Sequence, residues 1–199
     1  MKLYLAPLEG ITNHIYRKAL YECFGGFDKY FIPFIRAKQN LNFSGREKKD
    51  IDPENNQGMY AVPQILTRNA EDFLRTASQL AGLGYREINL NLGCPSKTVV
   101  TKGCGAGFLE RPDELERFLD YIFANTDLKI SIKTRLGMDD AEEFEDLLEI
   151  YNRFPLEELI VHPRVQKDFY KNIPNLEAFE HAVQKSKNPL CYNGDIFSA

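Results

Sequence analysis

Cys94 stands between Gly93 and Pro95, directly after Glu87-Ile88-Asn89-Leu90-Asn91-Leu92. Ile88, Leu90 and Leu92 alternate with Asn89 and Asn91, the period-two signature of a strand, and Gly93 and Pro95 end that strand abruptly. A thiol so placed is held at a strand mouth. With an ordinary pKa of about 8.5 it is mostly protonated near neutrality and can donate a proton. A nucleophilic role needs a base or a cation to make thiolate, and Lys97 is a candidate cation. The plainer alternative is a small buried hydrophobe. Gln64, Asn91, Lys133, His162, Arg164 and Asn193 occupy comparable positions, at the ends of other apolar segments. Lys133 is costly to bury unpaired, so it needs a structural carboxylate, a ligand, or a Schiff-base role on carbonyl substrates. His162 closes Leu159-Ile160-Val161 and is either a satisfied core histidine or part of a site.

Strands are expected at Lys2–Ala6, Lys29–Phe34, Tyr60–Ile65, Glu87–Leu92, Lys129–Thr134, Glu158–His162 and Pro189–Asn193. Helices fall between them. One is capped by Thr12 or Asn13, with Ile15, Tyr16, Ala19, Leu20 and Cys23 on one face. Another is capped by Asn69 and buries Phe73, Leu74, Ala77 and Leu80. Pro112 starts a third, with Leu115, Phe118, Leu119 and Ile122 inside. An acidic helix over Asp140–Phe154 hides Phe144, Leu147, Leu148 and Tyr151, and a last one carries Phe179, Ala182 and Val183. The stretch from Arg36 to Gly58 reads as a long polar loop whose Arg36, Lys38, Arg46, Lys48 and Lys49 can meet phosphates. Strands alternating with helices imply right-handed βαβ units and a parallel sheet. Seven such strands, with no GxGxxG after the first, favour an incomplete TIM (β/α)8-type barrel lacking its eighth stave over a dinucleotide fold. In such barrels the C-terminal strand ends carry the chemistry, and that is where the polar residues collect.

The 199 residues make one domain, 1–199, with a net charge of −4 that gives no global attraction to nucleic acid. The four cysteines show no metal or disulfide spacing, no stretch is apolar enough to span a bilayer, and the first residues do not read as a signal peptide. The expectation is a cytoplasmic protein without a metal or a membrane partner.

The stretch Asn89-Leu90-Asn91-Leu92-Gly93-Cys94-Pro95-Ser96-Lys97, with Gly103-Cys104-Gly105-Ala106-Gly107 and Leu109-Glu110-Arg111-Pro112 after it, resembles the active-site segment of the tRNA-dihydrouridine synthases. Ala6-Pro7-Leu8-Glu9-Gly10-Ile11-Thr12, Lys133-Thr134-Arg135-Leu136-Gly137, Val161-His162-Pro163-Arg164 and Asn193-Gly194-Asp195-Ile196 resemble further motifs of that family, in its order. The resemblance implies an FMN-binding barrel with NADPH as reductant and a tRNA uridine as substrate. It implies flavin contacts from Pro7, Leu8, Glu9, Gln64, Lys133, His162, Asn193, Gly194 and Asp195. Cys94 becomes the general acid that protonates C5 of a flipped uracil after hydride reaches C6, and Asn91, Arg164 and Arg36 the substrate contacts. Family members continue with a closing strand and a helical tRNA-binding domain, so the open sheet edges of this chain are expected to promote self-association. Two departures stand out: Leu8 where Met is more usual, and Pro163 where Gly is more usual. Two other readings remain, an FMN-dependent barrel oxidoreductase acting on a free pyrimidine and an inactive fragment that only folds or binds.

Overall fold

The computed structural model describes residues 1–37 and 42–197. Lys38, expected to meet phosphates, lies outside the described residues. Seven parallel strands follow one another in sequence order across a single sheet. They are β1 (Tyr4–Leu5), β2 (Lys29–Arg36), β3 (Ala61–Leu66), β4 (Glu87–Leu92), β5 (Lys129–Arg135), β6 (Glu158–His162) and β7 (Leu190–Tyr192). β4 and β6 fall where the alternation and apolar runs put them. β1 and β7 are shorter than expected, while β2 and β5 run on to Arg36 and Arg135. A register shift between Ile32 and Ile35 lets β2 accommodate Pro33, which cannot donate to the ladder.

The sheet curls into most of a barrel. Tyr4 on β1 donates to Glu158 on β6 at 2.8 Å, across the lumen. Lys29 on β2 completes this floor, 2.9 Å from Glu87 and 3.4 Å from Glu158, and Tyr60 donates to Glu87 at 3.1 Å. Above the floor sits a small apolar layer of Phe31, Val62 and Ile160, with Tyr4 and Cys191 against it. The rim above that is polar. Ile88, Leu90 and Leu92 point outward instead, into the main core between sheet and helices. Their strand is buried on both faces, as parallel sheets require.

The helices are α1 (His14–Cys23), α2 (Gly45–Ile51), α3 (Ala70–Gly82), α4 (Lys97–Val100), α5 (Pro112–Ala124), α6 (Glu143–Tyr151) and α7 (Leu176–Lys185). Asn69 caps α3, accepting from Asp72 N at 2.8 Å, and Leu115, Phe118, Leu119 and Ile122 of α5 are all buried. Two expectations need correction. The 36–58 stretch is not one loop, because Ser44 and Glu47 form a reciprocal capping box that starts α2, and a 3-10 turn follows at Pro53–Asn56. The expected inner face of α1 is exposed, with Ile15 66% and Tyr16 45% accessible, whereas Arg17 is fully buried. Arg17 donates to Thr12 O at 2.8 Å, to Asp50 O at 2.6 Å and to Asn56 Oδ1 at 2.9 Å, so α1 is pinned by a satisfied cation rather than by its apolar stripe. Val183 on α7 is likewise exposed.

Candidate active site on the rim of the sheet

A chain of side-chain amides sets the geometry around Cys94. Asn89 Nδ2 donates to Ser131 Oγ at 2.9 Å, and Gln64 Nε2 donates to Asn89 Oδ1 at 2.7 Å. Asn91 Nδ2 donates to Gln64 Oε1 at 2.7 Å, while Asn91 Oδ1 accepts from Gly93 N at 3.1 Å and Cys94 N at 3.0 Å. Alternation along β4 places both asparagines on the lumen side, and this relay turns their orientation into the position of the thiol. An amide nitrogen carries two protons, so Gln64 and Asn91 each keep one N–H for a ligand. Gly105 then packs so closely under Cys94 that a Cβ there would lie 2.8 Å from Cys94 O, and its φ of +56° favours glycine. Burial pushes the Cys94 thiol pKa up; the Ser96 backbone and the Arg36 and Arg135 charges pull the other way without reversing it. The group is therefore a thiol at neutral pH, suited to giving a proton.

Lys133 and Arg135 project from β5 two residues apart, onto the lumen side. The Lys133 ammonium has no hydrogen bond or ion pair among the described residues, so the structural-carboxylate reading does not hold. Burial, and then the charge of Arg135, push its pKa down to about 8. An unpaired ammonium facing a cavity is a site for an electron-rich acceptor. Arg135 is engaged instead. It donates to Gly93 O at 2.9 Å, Val165 O at 3.0 Å and Phe169 O at 2.6 Å, tying the Cys94 turn to the loop after β6.

His162 ends β6, 6% exposed, with Arg164 Nη1 2.9 Å from its Nε2. A guanidinium only donates, so Nε2 accepts and the neutral ring carries its proton on Nδ1. Burial, with Lys133, Arg135 and Arg164 nearby, pushes the His162 pKa down to about 3. Arg164 spends its remaining donors on Lys171 O at 2.9 Å, Asn172 O at 2.5 Å and both Asp195 oxygens, at 3.0 and 2.5 Å. Those contacts account for all five of its N–H groups in this structure. It orients His162 and Asp195. At Gly194, with a φ of +150°, a Cβ would lie 3.2 Å from His162 Cδ2, so glycine leaves the ring its space.

Pro7, Leu8, Glu9, Gln64, Asn91, Cys94, Lys133, His162, Asn193, Gly194 and Asp195 all line one cavity of ≈ 620 Å³. Arg164 lies behind its wall. Arg36 is not in the lining either, but it packs over Phe34 at 5.3 Å and its charge reaches the Cys94 and Cys104 thiols. The cavity also has Arg135, Phe34, Phe169 and Tyr170 in its wall, which sequence reasoning missed as site residues. Period two from Lys133 would have found Arg135. Nothing periodic marks Phe169 and Tyr170, which sit in an irregular loop. Among the described residues no helix is long and apolar enough to cross a membrane, and no group of His, Cys, Asp and Glu is placed to hold a metal ion.

The family model described as dihydrouridine synthase (Dus) matches residues 4–199. A curated probable tRNA-dihydrouridine synthase of Staphylococcus aureus (strain COL) is 30% identical over 201 residues, covering 96% of this chain and 60% of that protein. A tRNA-dihydrouridine(16) synthase of Cupriavidus necator is 29% identical over 205 residues, covering 99% of this chain and 63% of that protein. The chain thus spans about 60% of the length of these curated relatives. Among solved structures, a GH18 chitinase from Pseudoalteromonas aurantia superposes with a TM-score of 0.53 at 13% identity, covering 96% of this chain and 79% of that one, a likeness of fold alone.

Proposed function

The chain belongs to the dihydrouridine synthase family, and on that premise we propose that residues 1–199 are the catalytic barrel of an enzyme that reduces uridines in tRNA to 5,6-dihydrouridine. The observation that carries this reading is the unpaired Lys133 ammonium in the same cavity as the protonated Cys94 thiol. A lone buried cation with spare amide N–H groups beside it fits the pyrimidine edge of a flavin, which is rich in acceptors and gains negative charge on reduction. FMN, when bound, supplies the hydride that it takes from NADPH and that ends on C6 of the uracil.

The remaining steps belong to the protein. Lys133 and Gln64 would hold the electron-rich edge of the cofactor, and the backbone at Pro7, Leu8 and Glu9 would border its ring. His162, fixed as a neutral Nδ1–H donor by Arg164, hydrogen-bonds without adding charge. Asn193, Gly194 and Asp195 would border the phosphate end, where the small Gly194 would permit close approach. Asn91 offers its spare N–H to the uracil edge, and Arg36 at the mouth meets a phosphate. The Cys94 thiol gives its proton to C5 of the uracil. The base must leave its stack to reach the cavity, which costs a few kcal/mol.

The test is dihydrouridine formed on an unmodified tRNA transcript, set beside free uracil, with the flavin spectrum recorded in parallel. Cys94→Ala should lower tRNA reduction at least about a hundredfold while flavin still binds and is still reduced. Cys104→Ala should be much milder. Undiminished turnover in Cys94→Ala would remove the proton-donor assignment, and preference for free uracil would replace the RNA substrate by a free pyrimidine.

A further inference from the structure

Phe169 lines the mouth of the cavity, 43% exposed, and belongs to neither apolar cluster of the fold. Its backbone sits at φ 53°, ψ −101°, a conformation open to glycine and strained for any residue with a Cβ. The strain is held from several directions. Arg135 Nη2 donates to Phe169 O at 2.6 Å, Phe169 N donates to Gln166 O at 3.1 Å, and Gln166 Nε2 donates to Pro95 O at 3.0 Å. The loop is thus fastened to the turn that carries Cys94 by Arg135 on one side and Gln166 on the other. Tyr170, next in the chain, lies under the Arg135 guanidinium at 5.4 Å. A bulky aromatic that adds nothing to the core, in a backbone state better suited to glycine, needs a reason outside the fold. Exposed rings beside a groove with cationic flanks are how proteins hold single-stranded nucleic acid, each ring taking one base face.

We propose that Phe169 is the stacking platform for the nucleobase next to the uridine held over Cys94. This inference rests on reading the cavity as an RNA uridine site. It makes the preferred substrate an unpaired uridine with a stackable neighbour, and it makes Arg135 a positioning residue that keeps platform and thiol in register.

The experiment is a coupling cycle read by fluorescence anisotropy. Labelled RNAs of about six nucleotides carry one central uridine, and the flanking positions hold either bases or abasic sugars. The native chain should bind the base-flanked RNA about tenfold more tightly than the abasic one, the difference a single stack supplies. Phe169→Gly should lose about tenfold on the base-flanked RNA and nothing further on the abasic one, while melting at the same or a higher temperature because strain is relieved. Phe169→Trp should bind like the native chain. Unchanged binding by Phe169→Gly overturns the proposal, as does an equal loss on both RNAs, which would mark a general disturbance of the rim. Failure of the native chain to bind either RNA overturns the reading of the cavity as a uridine site, and the platform falls with it.

Discussion

At the scale of single residues, the site is a set of protonation states fixed by neighbours. Lys133, pushed down to about 8, is mostly charged below that pH and mostly neutral above it. FMN affinity should therefore fall as pH rises through about 8, and Lys133→Met should bind weakly with no such fall. A flavin titration across that range checks both, and a flat native profile would remove Lys133 from the flavin contact. His162 behaves differently. Its value is depressed from 6.5 to about 3, so the folded state refuses a proton that the unfolded chain accepts. Its contribution to stability is complete above pH 6.5 and is lost as pH falls toward 3, at no more than about 1.4 kcal/mol per pH unit. Urea unfolding at stepped pH should show that slope, and His162→Gln should flatten it. Cys94, Lys133 and His162 were legible in the sequence because each ends or interrupts an apolar run. The role of Arg164 was not, since only the fold shows all five of its donors already taken.

At the scale of elements, legibility followed the strength of the local signal. β4, β6, α3 and α5 are spelled out by alternation, an asparagine cap and a proline at the first turn. The α2 capping box was spelled too, Ser44 to Glu47, but without the apolar run that usually accompanies such a box. α1 misleads for a physical reason. It packs on α2 and the turn after it through buried Arg17, so the face that reads as core looks outward. The turn under Cys94 gives the sharpest element-level prediction. Gly105→Ala meets both a φ of +56° and a contact of 2.8 Å to Cys94 O, whereas Gly84→Ala meets a φ of +97° with open space around it. The first should cost at least about 2 kcal/mol and the second about 1. Equal losses in thermal or denaturant unfolding would show that Gly105 is a turn residue and not a brace for the thiol.

At the scale of the whole molecule, seven strands pair in order and β1 and β7 keep one edge each. Around α1 the surface also shows Ile11, Ile15, Tyr16 and Phe24, the last 82% exposed. Open strand edges and exposed apolar surface each favour pairing with another chain. Light scattering should show association of this chain that grows with concentration, and a clean monomer throughout would mean the edges are shielded. The barrel also settles how its reactive turn can be inherited. The amides of Asn89, Gln64 and Asn91 are wired in one direction, each oxygen committed to the next nitrogen, from Ser131 to the Cys94 backbone. Three strands therefore hold one spelling between them. A lone Asn91→Asp exchange swaps the donor facing Gln64 Oε1 for an acceptor, and it is satisfied only if the Gln64 and Asn89 amides both turn over and the Ser131 hydroxyl becomes the donor, so one substitution on β4 reverses a relay that crosses three strands.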